Sequence, residues 1–191
     1  MTHNKTRKIK KRVFSNKDYN SNDGMMTSIW GPSMWHSLHS ISFNYPVNPT
    51  TKDKRNYRNF ILNLRYVLPC GKCRDNLKEN FKKLPLTMEK MASRESFSKY
   101  IYDLHEHINN MLGKKSGLSY NDVKERYEHF RARCTLDTVK KITDNKTKKK
   151  EKGCIVPLYG VKSKCILKVV PMENKSDSIE INEKCLKRNI N

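Results

Sequence analysis

The sequence predicts an all-α protein, a four-helix bundle with a short fifth helix, and three observations predict it. Between residues 25 and 135 the apolar side chains recur at helical spacing. Pro46, Pro69, Pro85 and Gly113 interrupt that rhythm at intervals of one helix. Serines stand where two of the helices must open, at Ser93 and Ser119.

The first helix is expected at about 33–45, inside Trp30-Gly-Pro-Ser-Met-Trp-His-Ser-Leu-His, with Pro32 near its first turn, Trp35, Leu38, His39 and Ser42 on one face, and Pro46 ending it. The second runs from Lys52 to Leu68, with Tyr57, Phe60, Ile61, Leu64 and Leu68 at helical spacing, and Pro69 breaks it. A short third helix, about 71–82, starts at Cys70 and Cys73 and buries Leu77 and Phe81. The fourth, about 94–112, opens at Ser93, carries Phe97, Ile101, Leu104, Ile108 and Leu112, and stops at Gly113. Ser119-Tyr-Asn-Asp122 has the form of a capping box with Asp for Glu, and it opens a fifth helix with Val123, Tyr127 and Phe130. Short loops between these helices describe a bundle.

The ends read differently. The organisation is a basic disordered tail over 1–24, a helical domain over 25–135, a lysine-rich linker over 136–152 and an extension over 153–191. Cys154 to Val170 is β-branched and predicts a small β-hairpin around Gly160. The formal charge is +21, of which +5 falls on 1–24, +9 on 25–135 and +7 on 136–191. Runs such as Lys5 to Arg12 and Lys146 to Lys150 would contact nucleic acid or an anionic membrane weakly, through charge alone; solvated tails are the blander expectation. Met1 to Asn20 lacks the apolar centre of a signal peptide, and no stretch approaches a membrane span, so a soluble protein is expected.

Of the six cysteines only Cys70 and Cys73 form a local motif. A helix starting at Cys70 aims free backbone N–H groups and the positive end of its dipole at the sulfurs, and Lys72 and Arg74 add positive charge. Thiolate is favoured, and the two-residue gap lets one sulfur resolve a mixed disulfide at the other. The motif itself leaves three readings open: a redox dithiol, half of a zinc site completed from Cys134, Cys154, Cys165, His105 or His107, or an inert pair. Trp30, Trp35, His39, Tyr45, His105, Asn109 and Tyr127 add flat and hydrogen-bonding groups to apolar helix faces. Singly each suits a core; together they suit a planar cofactor held between helices.

These residues resemble, in order and over about 29–130, the Erv/ALR family of FAD-linked sulfhydryl oxidases. Trp30-Gly-Pro-x-x-Trp35-x-x-Leu-His39 with Tyr45-Pro46 is similar to the family's opening helix, and Pro69-Cys70-Gly-Lys-Cys73 followed by Phe81 to its active-site disulfide. His105-Glu-His-Ile-Asn109-x-x-Leu-Gly-Lys114 and Val123-Lys-Glu-Arg-Tyr127 resemble its later motifs. The resemblance implies a homodimeric helical bundle that cradles FAD. Protein dithiols would be oxidised at Cys70, Cys73 would lie against the flavin, and molecular oxygen would take the electrons as hydrogen peroxide. Trp30, Trp35, His39, Tyr45, His105, Asn109, Lys114 and Tyr127 would bind FAD, Lys114 near the phosphates and Tyr127 near the adenine; no metal is implied.

Departures mark the chain as divergent. The family's extra disulfide falls on Tyr102 and Ser119, its Asn on Glu106, and two of its Trp positions on Tyr100 and Tyr127. With these departures the chain resembles the divergent members encoded by large DNA viruses more than mitochondrial or secretory ones, which would place it in a host cytoplasm or a virion. No tail Cys-x-x-Cys is present; Cys154 and Cys165 are the candidates for a cross-strand disulfide, leaving Cys134 and Cys185 unassigned. The competing reading is a non-catalytic basic helical module with a zinc-stabilised Cys/His site that binds nucleic acid.

Overall fold

A computed structural model describes residues 14–132, 154–166, 168–171, 173–174 and 181–186. Among these the regular elements are helical: α1 (Asn16–Tyr19), α2 (Thr27–Phe43), α3 (Thr51–Val67), α4 (Gly71–Lys83), α5 (Arg94–Met111) and α6 (Tyr120–Glu128), with single 3-10 turns at Glu89–Met91 and Glu183–Cys185. The expected all-α bundle is present; four of the five expected helices lie within about two residues of their predicted spans, and the first starts six residues earlier than its expected 33.

Local chemistry sets the helix starts. Thr50, Ser93 and Ser119 each accept an N–H three residues on, and the side chains of Asp53, Ser96 and Asp122 return the bond to the capping residue. α4 is capped by sulfur: Cys70 Sγ accepts from the Cys73 N–H at 3.2 Å. Gly113, at φ +68°, takes the left-handed conformation that ends α5. α2 begins earlier than the periodicity predicts, because the chain before it is already anchored. The Met25 N–H donates to Pro69 O at 2.7 Å, and Trp30 Nε1–H returns to Met25 O at 3.1 Å. Pro32 therefore lies inside α2, where its fixed φ is helical but its missing N–H and its ring cost the hydrogen bond to the carbonyl of Ser28.

The helices pair as α2 on α5 and α6, and α3 on α4. The larger core joins Leu38, Ile61, Leu64, Leu77, Phe97 and Ile101 with their neighbours; burial of each such side chain contributes about 1.5–3 kcal/mol before entropy is counted. A smaller core of Phe43, Val123 and Tyr127 seats α6.

Four expectations are corrected. Phe60 is 44% exposed, since the buried stripe of α3 runs through Ile61 and Leu64 and position 60 sits on its flank. Phe130 follows the end of α6 and is 40% exposed, its ring edge-on to those of Tyr127 and His36 rather than in the core. The hairpin around Gly160 is absent, and the described residues contain no strand. Instead Ala132 and Pro157 form one isolated antiparallel bridge, Leu158 N–H donates to Arg131 O at 2.8 Å, and Val161 N–H to Lys184 O at 3.2 Å. A lone two-stranded ribbon buries too little to stand by itself, whereas the end of α6 and the 183–185 turn offer backbone partners. Finally, Cys165 is a free, exposed thiol while Cys154 is disulfide-bonded, so a 154–165 cross-link does not form. Cys134 and the basic runs Lys5 to Arg12 and Lys146 to Lys150 lie outside the described residues. Among the described residues no helix is long and apolar enough to cross a membrane.

Candidate active site

Cys70 and Cys73 are joined as a disulfide across the first turn of α4, with Cα atoms 5.2 Å apart. Proline produces this arrangement: α3 ends at Val67, Pro69 cannot continue a helix, and α4 restarts with Cys70 as its cap. Both sulfurs are half-buried, but only Cys73 is packed against the main core. Cys70 is thus the outer sulfur and Cys73 the inner. Arg74 donates to Leu68 O at 2.6 Å, which fixes the turn that presents them.

A second cluster is built from rings on α2, α5 and α6. Trp35 stacks on His105 with centroids 3.9 Å apart and planes 7° from parallel. His39, only 4% exposed, places Nε2 3.0 Å from His105 Nδ1, and its ring lies 5.3 Å from that of Tyr127. Tyr127 stacks on Phe43 at 5.2 Å, and its hydroxyl meets His36 Nδ1 at 3.1 Å. Burial is the main cause that holds both central imidazoles neutral. His39 is pushed down to about 3, with His105 and His36 adding to the effect. His105 is pushed down to about 4, Glu106 opposing and Lys114 assisting. Burial also lowers His36 and raises the Tyr127 hydroxyl. His39 Nδ1 is buried without a hydrogen-bond partner. An orphaned polar atom in a nest of stacked rings fits a flat ligand with hydrogen-bonding edges.

Of the residues expected to bind a cofactor, Trp35, His39, His105 and Tyr127 come together here. Asn109 and Lys114 extend the site at the C-terminal end of α5: Asn109 Nδ2 donates to Glu106 Oε1 at 2.9 Å and Lys114 N–H to Asn109 O at 2.8 Å. Glu106, at the position of the family's Asn, is thus engaged with Asn109. Trp30 and Tyr45 stand apart from the rings. Trp30 ties the start of α2 to the disulfide end through Met25. Tyr45 is fully buried, packed on Tyr57 and Phe97, with its hydroxyl donating to Met91 O at 3.0 Å. Sequence reasoning missed His36 and Phe43, although they share a stripe with His39 at helical spacings of three and four.

A helical bundle with a capped, core-facing Cys-x-x-Cys disulfide beside a cluster of neutral imidazoles and aromatic rings defines the class: a helical protein built around a thiol-disulfide pair. The sequence profile of the Erv1 / Alr family matches residues 32–128. A protein of Acanthamoeba polyphaga mimivirus named a probable FAD-linked sulfhydryl oxidase is 43% identical over 99 residues, 52% of this chain and 68% of its own length. The FAD-linked sulfhydryl oxidase of African swine fever virus is 33% identical over 99 residues, 52% of this chain and 80% of its own. The crystal structure of the yeast Erv1 core shares the fold, with a TM-score of 0.50 at 21% identity over 64% of this chain and 96% of that one. The chain belongs to the Erv1 / Alr family.

Proposed function

We propose that the protein is an FAD-linked sulfhydryl oxidase that forms disulfide bonds in protein dithiols. The Cys70–Cys73 disulfide at the N-terminus of α4 carries this reading. A client thiolate attacks the outer sulfur, Cys70 Sγ; the S–S bond breaks and Cys73 leaves as the thiolate. The client's second thiol then attacks the mixed disulfide, releasing an oxidised client and a reduced pair, a transfer of two electrons and two protons. The helix N-terminus lowers the cost of thiolate at either step: the Cys73 N–H already points at Cys70 Sγ, and the α4 dipole is positive there. Because the two sulfurs are bonded to each other, Cys70 and Cys73 are not a ready half of the zinc site that the competing reading needs.

The ring cluster would hold FAD through Trp35, His39, His105 and Tyr127, joined by Asn109 and by Lys114, whose charge suits the phosphates. When bound, FAD supplies the two-electron acceptor for the reduced cysteine pair and passes the electrons to molecular oxygen, giving hydrogen peroxide. The orphan His39 Nδ1 offers an edge contact, Trp35 and Tyr127 offer faces, and burial keeps water out. Trp30 and Tyr45 support the site by anchoring α2 and the core. The working unit is a homodimer, and the catalytic domain spans 25–135.

Purified protein should carry flavin absorbance and consume oxygen when given dithiothreitol, with hydrogen peroxide as product. Cys70→Ser and Cys73→Ser should each abolish turnover while the colour remains. Colourless folded protein, or peroxide production that survives Cys73→Ser, would refute the reading.

A further inference from the structure

The charge of the bundle is unevenly placed. Residues 51–83, which form α3, the disulfide and α4, hold ten Lys and Arg against three Asp and Glu. Residues 94–128, which form α5 and α6, hold six of each, and α2 carries no Lys, Arg, Asp or Glu. The excess positive charge therefore sits on the half of the molecule that carries the disulfide, while the half that carries most of the ring cluster is balanced.

Part of that excess is organised. Arg74, Lys78 and Lys82 follow one another at intervals of four on α4, so they form a single stripe leading away from Cys73. Beside it, between α3 and α4, lies an open cavity of about 360 Å³ lined by Arg65, Tyr66, Lys78, Glu79, Phe81 and Lys82. Arg65 Nε is buried there without a hydrogen-bond partner, and the guanidinium lies over the Tyr66 ring at 4.8 Å. Among the described residues Lys78 and Lys82 pair with their own neighbours, Asp75 at 2.9 Å and Glu79 at 2.7 Å, through side chains 44% and 72% exposed. Exposed pairs of this kind are worth little and exchange partners readily.

We propose that this α3/α4 cavity and stripe are a docking surface for client proteins, and that the clients are dithiol segments flanked by acidic residues. The proposal rests on the sulfhydryl oxidase reading and adds a substrate class to it. The spacing sets where the acidic residues lie. Lys78 and Lys82 are eight and twelve residues beyond Cys70, roughly 12 and 18 Å along the helix axis at 1.5 Å per residue. An extended client covers roughly 3.3 Å per residue, so its carboxylates fall about three to six positions from the cysteine that attacks Cys70. A client carboxylate in the cavity meets the accessible end of the Arg65 guanidinium and the two lysines, at the expense of the weak bridges to Asp75 and Glu79.

The test uses the full-length flavoprotein and two reduced Cys-Gly-Gly-Cys peptides, identical except for four Glu or four Lys placed three to six residues from the first cysteine. At low salt kcat/KM should favour the Glu peptide by about tenfold, as steering by a surface charge of this size allows. The preference should shrink toward unity near 0.3 M salt, where screening is short-ranged. Lys78→Glu with Lys82→Glu should reverse it, Lys78→Gln with Lys82→Gln should abolish it, and both pairs should leave dithiothreitol oxidation within about twofold of the parent, since a neutral substrate is not steered. Equal rates for the two peptides, or a preference untouched by both variant pairs, would overturn the proposal. Absence of dithiothreitol oxidation would instead count against the oxidase reading. In that event, fluorescence anisotropy with Ser-for-Cys peptides still reads the surface: tighter binding of the Glu peptide, lost in the variants, supports it, and equal Kd values sink it. A short DNA duplex that displaces the Glu peptide completely at equal charge would reassign the surface to nucleic acid and likewise overturn it.

Discussion

The Tyr102 hydroxyl donates to the Leu118 carbonyl oxygen at 2.8 Å, tying α5 to the residue just before the cap of α6. Family resemblance puts a disulfide between positions 102 and 119, and here a hydrogen bond, helped by the 2.8 Å contact of Ser98 Oγ with the Tyr120 hydroxyl, joins the same two elements. Unlike a covalent tie it is indifferent to reductant. Tyr102→Phe keeps the ring contact with Tyr120 and deletes only the donor. It should lower stability by about 1 kcal/mol, the net worth of one such bond plus a carbonyl left unpaired. Thermal unfolding would show a midpoint lower by a few degrees; an unchanged midpoint would mean that α6 is seated by packing alone.

The His39–His105 pair makes stability depend on pH with a definite sign. Both imidazoles sit below their ordinary value in the folded protein, at about 3 and about 4, and return to about 6.5 when the chain unfolds. Above pH 6.5 both states are neutral and their contribution is complete. As pH falls from 6.5 toward 4 the unfolded chain takes up protons that the folded one refuses, so stability falls by on the order of 1 kcal/mol per pH unit for each imidazole. Denaturant midpoints measured between pH 7.5 and 4.5 should decline, and His105→Gln should flatten the decline. Equal slopes in the two proteins would show that these groups do not carry it.

Legibility in the sequence followed how local the determining physics is. Capping residues, breaking prolines and helical stripes act over one or two turns, so α3, α4, α5 and α6 could be placed from the Tyr57-to-Leu68 stripe, Pro69, Ser93, Gly113 and Ser119. The start of α2 could not, because its anchor is a bond from Met25 to Pro69, distant in sequence. The site divides in the same way. The reactive disulfide was visible as a motif, and Trp35, His39, His105 and Tyr127 as aromatic or polar residues on apolar faces. Trp30 and Tyr45 carry the same signature but spend their polar atoms on Met25 O and Met91 O, which only the tertiary structure reveals. His36 was overlooked because its partner, the Tyr127 hydroxyl, is 91 residues away. The segment after 153 misled for a further reason: β-branched residues report a taste for extended backbone and say nothing of whether a partner strand exists.

Arg131 joins three parts of the chain. Its guanidinium donates to Phe43 O at 3.0 Å and forks onto both oxygens of Glu128, while its own carbonyl accepts from Leu158. Glu128 holds the guanidinium above its ordinary value, and in return Arg131 holds the carboxyl below its own. Arg131→Leu should cost about 1–2 kcal/mol, the charged hydrogen bonds being partly screened at this half-buried position. Arg131→Lys should recover less than half of it, because an ammonium cannot reach the Phe43 carbonyl and both Glu128 oxygens in one plane. Thermal midpoints of the three proteins check the ranking, and a lysine variant as stable as the parent would show that charge alone suffices.

Gly160 decides whether the 183–185 turn stays against the 154–161 segment. Its φ of +66° lies in the region that side chains other than glycine resist, and a Cβ there would stand 2.7 Å from the Cα and carbonyl carbon of Cys185 and from Lys184 O. Backbone atoms cannot rotate aside as a flexible side-chain end can, so Gly160→Ala combines about 1–3 kcal/mol of conformational strain with a direct clash. The relief open to it is separation of the two segments, which breaks the Val161 N–H bond to Lys184 O. Cys185, half-buried in the parent, then becomes as accessible as the exposed Cys165. Alkylation followed by mass spectrometry of the Cys185 peptide, in a Cys165→Ser background, should show slow labelling in the parent and a rate approaching that of Cys165 in Gly160→Ala. The bundle's main thermal transition should remain in place, because its cores draw on no residue of this segment. Unchanged labelling of Cys185 would mean that something other than the Gly160 contact holds the turn.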